Sequence, residues 1–207
     1  MDWNERYSID DYLFGKEPAQ ALLRNEEHLV SNGTTLVIAD GEGRNSVYLA
    51  KKGFKVTATD NSIVANQKAK SLAVSENVEV NTGDSVKYLV ELMKRLKKEN
   101  KKISLFYLDS FDVDWQSSDR SAAHHLKELT AIINYISEET MVVVDDAPVF
   151  VPMKIENNKY HPITEKPAPR AFIGGKGYLV NEFANTCGAT VYFSNYQTAW
   201  TGFKKNP

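Results

Sequence analysis

Short apolar runs alternating with amphipathic stretches limit what this chain can fold into more than any other feature. Thr35–Ala39 (TLVIA), Lys55–Thr59 (KVTAT), Val78–Asn81, Ile103–Leu108 (ISLFYL) and Met141–Val144 (MVVV) read as strands. Between them Asn45–Lys52, Ser62–Ser75, Val86–Asn100 and Ser121–Ile136 read as helices, and Gly53 is placed to end the first. The third of these helices carries Leu89, Leu92, Met93 and Leu96 at helical spacing, with lysines on the other face. Strands joined through helices are parallel neighbours, and unbroken Val/Ile/Leu runs suit strands covered on both faces. The rhythm then breaks. Gly177–Thr186 reads as a helix, and Thr190–Ser194 and Ala199–Phe203 follow as a hairpin. The predicted class is α/β: a Rossmann-like three-layer sandwich whose parallel sheet is finished by an antiparallel pair.

At 207 residues the chain suits one domain, residues 1–207, around a single core. Residues 1–31 form an expected N-terminal arm with aromatics among charges (Trp3, Tyr7, Tyr12, Phe14). Residues 147–173 hold most of the seven prolines without periodicity, which predicts an irregular, lid-like loop. The net charge of −2 gives no broad attraction to nucleic acid or an anionic membrane. The single cysteine, Cys187, excludes an intrachain disulfide and fits a reducing compartment. No apolar run approaches the ~18 residues of a membrane span, and the polar N-terminus resembles no signal peptide. A cytoplasmic protein is expected, with a small-molecule partner, without nucleic-acid or membrane partners, and with a homodimer left open.

Each strand of the parallel series ends in an acid: Asp40-Gly41-Glu42-Gly43-Arg44, Asp60, Gly83-Asp84, Asp109 and Asp145-Asp146. Open parallel sheets bind ligands at the carboxyl ends of their strands, and a core does not call for carboxylates there, since burying one without partners is costly. Gly41 and Gly43 permit positive φ and a close approach by a ligand, ahead of a helix start with free N–H groups. A plain tight turn explains these glycines equally well. Asp60 follows about 20 residues later, where an acid binds ribose hydroxyls, although it also suits a helix cap before Asn61-Ser62. Ser46 at the third small-residue position leaves a dinucleotide such as NAD open. Glu42 between the glycines disfavours a pyrophosphate, and a nucleoside bearing an amino acid and a sulfonium suits acidic surroundings better.

The stretch ADGEGRNSVYLAKKGFKVTATDNS resembles motifs I and II of the class I S-adenosylmethionine (AdoMet) methyltransferases, and WNERYSIDDYLFGKEP resembles the N-terminal segment of their tellurite-resistance-type subgroup. The resemblance implies a seven-stranded sheet of order 3-2-1-4-5-7-6 with strand 7 antiparallel. It implies that Asp40, Gly41, Glu42 and Gly43 face the methionine part of the cofactor. Asp60 is then at the ribose, Ile63 on the adenine and Asp84 at the adenine amine. Asn45, Asn61, Gly83 and Asp109 complete the implied cofactor-binding set. Common forms of motif I have a glycine before the turn and a cysteine or serine where this chain has Asp40 and Glu42. That pattern occurs within the tellurite-type subgroup.

GDSVKYL, LFYLDSFDVDW, SAAHHLKEL and VVVDDAP resemble instead the small-molecule O-methyltransferases of the catechol and cephalosporin-hydroxylase-like groups. This second resemblance implies a divalent ion held by Asp109, Asp145 and Asp146. Neighbouring strands lie about 4.8 Å apart, so acids at adjacent tips can converge. An all-oxygen set favours Mg²⁺, Mn²⁺ or Ca²⁺. The plainer alternative has Asp145-Asp146 opening a loop and Asp109 capping a turn. Asp109, His124 and His125 are the catalytic candidates, since an imidazole titrates near neutrality. Lys127 and Lys176 are further bases, Arg170 is a contact for an anionic substrate, and Asp112 and Asp114 add charge. The expected activity is divalent-metal-assisted O-methylation of a small molecule or sugar. The alternatives are a metal-independent methyltransferase detoxifying thiols or metalloids, and a non-catalytic AdoMet-fold binding module.

Overall fold

The computed structural model describes residues 2–29, 32–111, 118–145, 149–157, 159–162, 171–174, 179–195 and 200–207. Seven strands form the main sheet: β1 (Thr34–Ile38), β2 (Lys55–Asp60), β3 (Val78–Thr82), β4 (Leu105–Leu108), β5 (Met141–Asp145), β9 (Ala189–Asn195) and β10 (Trp200–Lys205). Their order is β3-β2-β1-β4-β5-β10-β9. The first five are parallel, and β10 runs antiparallel to both β5 and β9. This is the expected order 3-2-1-4-5-7-6.

Period-2 alternation divides each central strand between two cores. Leu36 and Ile38 of β1, Phe106 and Leu108 of β4, and Val142 and Val144 of β5 point to one face. There they meet Leu89, Leu92, Met93 and Leu96 of α5 (Ser85–Lys98), Leu129 and Ile132 of α6 (Ser118–Ile132), and Val180 and Ala184 of α7 (Val180–Thr186). Val37, Leu105, Tyr107, Met141 and Val143 point the other way, onto Leu22 of α2 (Gln20–Arg24) and Leu49 of α3 (Arg44–Lys51). Each such side chain contributes roughly 1.5–3 kcal/mol by leaving water. Burial on both faces is why these strands lack polar alternation.

The chain moves outward from β1 to β2 and β3, by way of α3 and α4 (Ile63–Leu72), then returns to place β4 against the other edge of β1. The strand order therefore reverses between β1 and β4, where a crevice opens at the carboxyl ends. α1 (Trp3–Arg6) begins the N-terminal arm. Among the described residues no helix is long and apolar enough to cross a membrane.

The expected irregular loop over 147–173 is corrected. It contains β6 (Val149–Glu156), β7 (Lys159–Pro162) and β8 (Ala171–Gly174), which form a separate antiparallel sheet of order β7-β6-β8. The two halves of β6 pair with different partners: Val149–Pro152 with β8, and Met153–Glu156 with β7. Pro152 and Pro162 fall in the last registered pairs of these ladders, where a missing N–H costs least.

Candidate active site

The strand tips are tied side by side by bonds that continue the sheet past its ends. Asp40 N–H donates to the Thr59 carbonyl (3.2 Å), Asp109 N–H to that of Ile38 (3.1 Å) and Gly83 N–H to that of Asp60 (3.0 Å). Of the acids predicted from sequence, the described ones at the strand tips line one cleft of about 430 Å³. Asp40, Gly41, Glu42, Asn45, Asp60 and Asn61 line it, as do Gly83, Asp84, Asp109, His124 and Asp145. The volume lies within the range of small-molecule sites.

The glycine turn is held by its neighbours. Ala39 enters it at φ 58°, a left-handed conformation unusual for alanine, and Gly41 and Gly43 continue at φ 60° and 93°. A Cβ on Gly41 would stand 2.8 Å from the Tyr7 hydroxyl, and one on Gly43 would stand 2.9 Å from Cα and Cβ of Ala69. Asp60 Oδ2 accepts from Gly41 N–H (2.9 Å) and Oδ1 from Ser62 N–H (2.8 Å). Burial raises the Asp60 carboxyl above its ordinary value, and hydrogen bonds from Ser62, Gly41 and Asn61 oppose the rise. Asp40 is 7% exposed. Its Oδ1 accepts from Ser46 N–H (3.2 Å), while Oδ2 is buried without a hydrogen-bond partner. Burial pushes this carboxyl up to about 7.

Glu42 is a latch as well as a wall. Its carboxylate accepts from Leu13 N–H (2.7 Å) and from Lys68 Nζ (2.8 Å), and the same ammonium also binds the Ile9 and Asp11 carbonyls. Arg44 donates to the Phe14 carbonyl, and Asn45 accepts from Ala19 N–H. The arm is fixed to the turn by these contacts, bringing Trp3, Tyr7 and Phe14 onto the cleft. Trp3 stacks on Tyr7 with centroids 5.3 Å apart. Tyr7 is buried, and burial, followed by Asp60, Asp109 and Glu42, drives its hydroxyl well above the usual phenol value, so it stays neutral.

Some expectations are narrowed. Gly43 caps α3 behind the cleft and is not among its lining residues. Ile63, the expected adenine contact, is 59% exposed at the start of α4 and does not line the cleft either. Of the histidine pair only His124 lines it. His125 is 1% exposed, and its Nε2 donates to the Ser110 carbonyl (2.8 Å), so it packs α6 onto the end of β4. Asp84 caps α5 by accepting from Lys87 N–H. Asp145 accepts from the Tyr107 hydroxyl, whose pKa is driven far up by burial and by Asp145 and Asp109. Asp146, Asp112, Asp114, Arg170 and Lys176 lie outside the described residues, and Lys127 is exposed. Among the described residues, no three His, Cys, Asp or Glu side chains gather as a metal-holding group.

Glu128 was not anticipated, although it follows the histidines at i+4 and i+3 on one helix, a spacing that places them together. It is fully buried. Its Oε1 lies 3.2 Å from His124 Nε2 and accepts from the Ser110 hydroxyl. Its Oε2 lies 3.0 Å from His125 Nδ1, off the line of a hydrogen bond. Burial alone would raise this carboxyl. Attraction to His125 and hydrogen bonds from His124 and Ser110 outweigh it and hold the group well below the ordinary range. His124 Nε2 also meets Ser85 Oγ at 2.8 Å.

The model of the family "Tellurite resistance protein TehB" matches residues 5–93, which carry most of the arm, the glycine turn, Asp60 and Asp84. No curated protein matches the chain. Among solved structures, the CcbJ methyltransferase of Streptomyces caelestis superposes with a TM-score of 0.59 at 13% identity, over 99% of this chain and 96% of that one. An S-adenosylmethionine-dependent methyltransferase of Clostridium acetobutylicum gives 0.55 at 14%, over 98% and 95%. A TehB-like SAM-dependent methyltransferase of Corynebacterium glutamicum gives 0.52 at 14%, over 99% and 94%. The fold is that of the class I AdoMet-dependent methyltransferases. Identities this low carry the architecture only. The family match and the shared fold together support an AdoMet-dependent methyltransferase. The residues present fit that cofactor: a turn without Cβ atoms at its two glycines, an acid at the second strand tip, and a buried carboxylate oxygen without a partner among the described residues.

Proposed function

We propose that this chain transfers the methyl group of AdoMet to a hydroxyl of a small molecule or sugar. The observation that carries the reading is the meeting, in one cleft, of the Asp40–Gly43 turn, Asp60 and a histidine backed by a buried carboxylate. AdoMet when bound supplies a methyl group on a positively charged sulfur. Asp60, anchored by two N–H groups, keeps lone pairs for ribose hydroxyls. Asn61, Gly83 and Asp84 edge the adenine side, and Asp40, Gly41 and Asp109 the methionine side. Tyr7 and Phe14 exclude water, and orientation of the acceptor supplies most of the rate.

The ionised Glu128 makes His124 Nε2 the protonated nitrogen, which leaves Nδ1 to take the acceptor's proton. A base of this kind suits an acceptor that must lose a proton. Asp109 and Asp145 disfavour one that is already anionic. The family match favours a second reading, a thiol or metalloid acceptor. However, residues 5–93 hold the cofactor side and stop short of Asp109, His124 and Asp145, so the match bears little on the acceptor. Of the expected metal set, Asp109 and Asp145 line the cleft, the latter bonded to Tyr107, while Asp146 lies outside the described residues, and no step is derived through an ion.

Calorimetry with AdoMet tests the core of the reading, with micromolar-scale affinity expected and Asp60→Ala weakening it. Folded protein that binds no AdoMet would overturn it. A panel of hydroxyl, thiol and tellurite acceptors, each with and without chelator, tests the rest. Thiol or tellurite turnover without hydroxyl turnover favours the second reading, and undiminished transfer in excess chelator removes an essential ion.

A further inference from the structure

The unpartnered Oδ2 of Asp40 has no role in holding the fold. Asp40 lines the cleft; its Oδ1 meets the Ser46 N–H of α3, and its Oδ2 is buried without a hydrogen-bond partner among the described residues. The charged neighbours are engaged or repulsive. Asp60 on β2 serves Gly41 and Ser62, and Glu42 of the same turn is neutralised by Lys68. Asp109 at the tip of β4 adds negative charge, and Tyr7 of the arm stays neutral. Arg44 is the cation that stabilises the charge of Asp40, and it is anchored on the Phe14 carbonyl. A carboxylic acid buried in this way prefers its proton until a positive charge arrives.

Resting on the AdoMet reading, we propose that Asp40 reads the charge of the cofactor: it loses its proton to solvent when the sulfonium of AdoMet binds, and so distinguishes AdoMet from the product S-adenosylhomocysteine. The product keeps the α-ammonium but carries a neutral sulfur, so only AdoMet brings the second positive charge. The step balances as one proton leaving the Asp40 carboxyl, with no bond changed in the cofactor. Burial raises this carboxyl from its ordinary 3.8 to about 7 in the free protein, which puts the switch within the working range. Below that pH the proton must be displaced, and AdoMet affinity falls. Above it Asp40 is already ionised, and the preference for AdoMet is full.

The test is titration calorimetry of AdoMet and of S-adenosylhomocysteine at several pH values, in buffers of different ionisation enthalpy. The ratio of the two affinities cancels the titration of the ammonium that both ligands share. For wild type we expect AdoMet to release more protons than S-adenosylhomocysteine at pH 6.5. The affinity ratio should rise about three- to ten-fold between pH 6 and pH 8. In Asp40→Asn the excess release and the slope should both vanish. A flat wild-type ratio overturns the proposal without any variant, as does an Asp40→Asn protein that keeps the wild-type slope. Wild type that binds S-adenosylhomocysteine and AdoMet alike, with equal proton counts, overturns it while leaving the cofactor reading in place. Wild type that binds neither overturns both.

Discussion

Asp40 sits in the glycine turn with one oxygen bonded to Ser46 N–H and the other without a partner among the described residues, whereas Glu128 sits one layer behind His124 with Ser110, His124 and His125 around it. Both are buried acids beside the same cleft. Burial pushes each toward its neutral form; at Asp40 nothing reverses this, and at Glu128 the histidines and the serine do. A buried carboxylate surrounded by partners holds a structure together, while one left short of them is costly to the fold and available to a ligand.

Removing each acid should separate the two most sharply. Glu128→Ala leaves His124, His125 and the Ser110 hydroxyl without their shared partner, and should lower the unfolding free energy by about 3–5 kcal/mol in urea titrations. Asp40→Asn should leave it unchanged or raise it slightly, and an equal loss in both variants would break the comparison. Next in size is a split between neighbours. His124→Gln should cut turnover by about 10²-fold or more while AdoMet affinity, measured by calorimetry, stays within about two-fold. His125→Gln should chiefly lower the melting temperature, since that ring packs against the Ser110 carbonyl. Equal losses of turnover from the two would place the proton transfer elsewhere.

The pH dependence of stability should run in opposite directions. Glu128 has its folded pKa below its unfolded value of 4.5, so its stabilisation is present above that pH and is lost as the pH falls further. Asp40 has its folded pKa raised from 3.8 to about 7, so its contribution is fully present below 3.8 and is lost as the pH rises through 7. Melting temperatures of the free protein should therefore decline between pH 5 and pH 7.5 less in Asp40→Asn than in wild type. The difference should be a few degrees, given about 2–4 °C per kcal/mol at this size. The smallest effect concerns the latch. Glu42→Gln weakens the grip of Lys68 and should cost about 1 kcal/mol, read as faster amide exchange over residues 9–13 with the core unchanged.

The same contrast shows what a sequence discloses. The strands and the acid at every parallel tip follow from local periodicity, because a strand covered on both faces announces itself and its end is marked by the first charge, whereas the strand order comes from the resemblance to the methyltransferases. Asp40, Asp60 and Asp109 were legible for that reason. Glu42 was legible as an acid in a turn but not as the anchor of the arm, since Lys68 and Leu13 lie 26 and 29 residues away. Glu128 was written in plain helical spacing after two histidines, yet only packing shows which of the three face the cleft. The small sheet over 149–174 was hidden by prolines that break the pattern when seen as letters, although Pro152 and Pro162 fall at ladder ends in space.

Gly43 rests against the backbone and methyl group of Ala69, on a helix that supplies nothing to the cleft wall. The position of the glycine turn beside the cleft is therefore set from behind by the smallest side chain that still has a Cβ. Position 69 should tolerate glycine and little else, and a chain altered only there would lose its grip on ligand through a residue the ligand never meets.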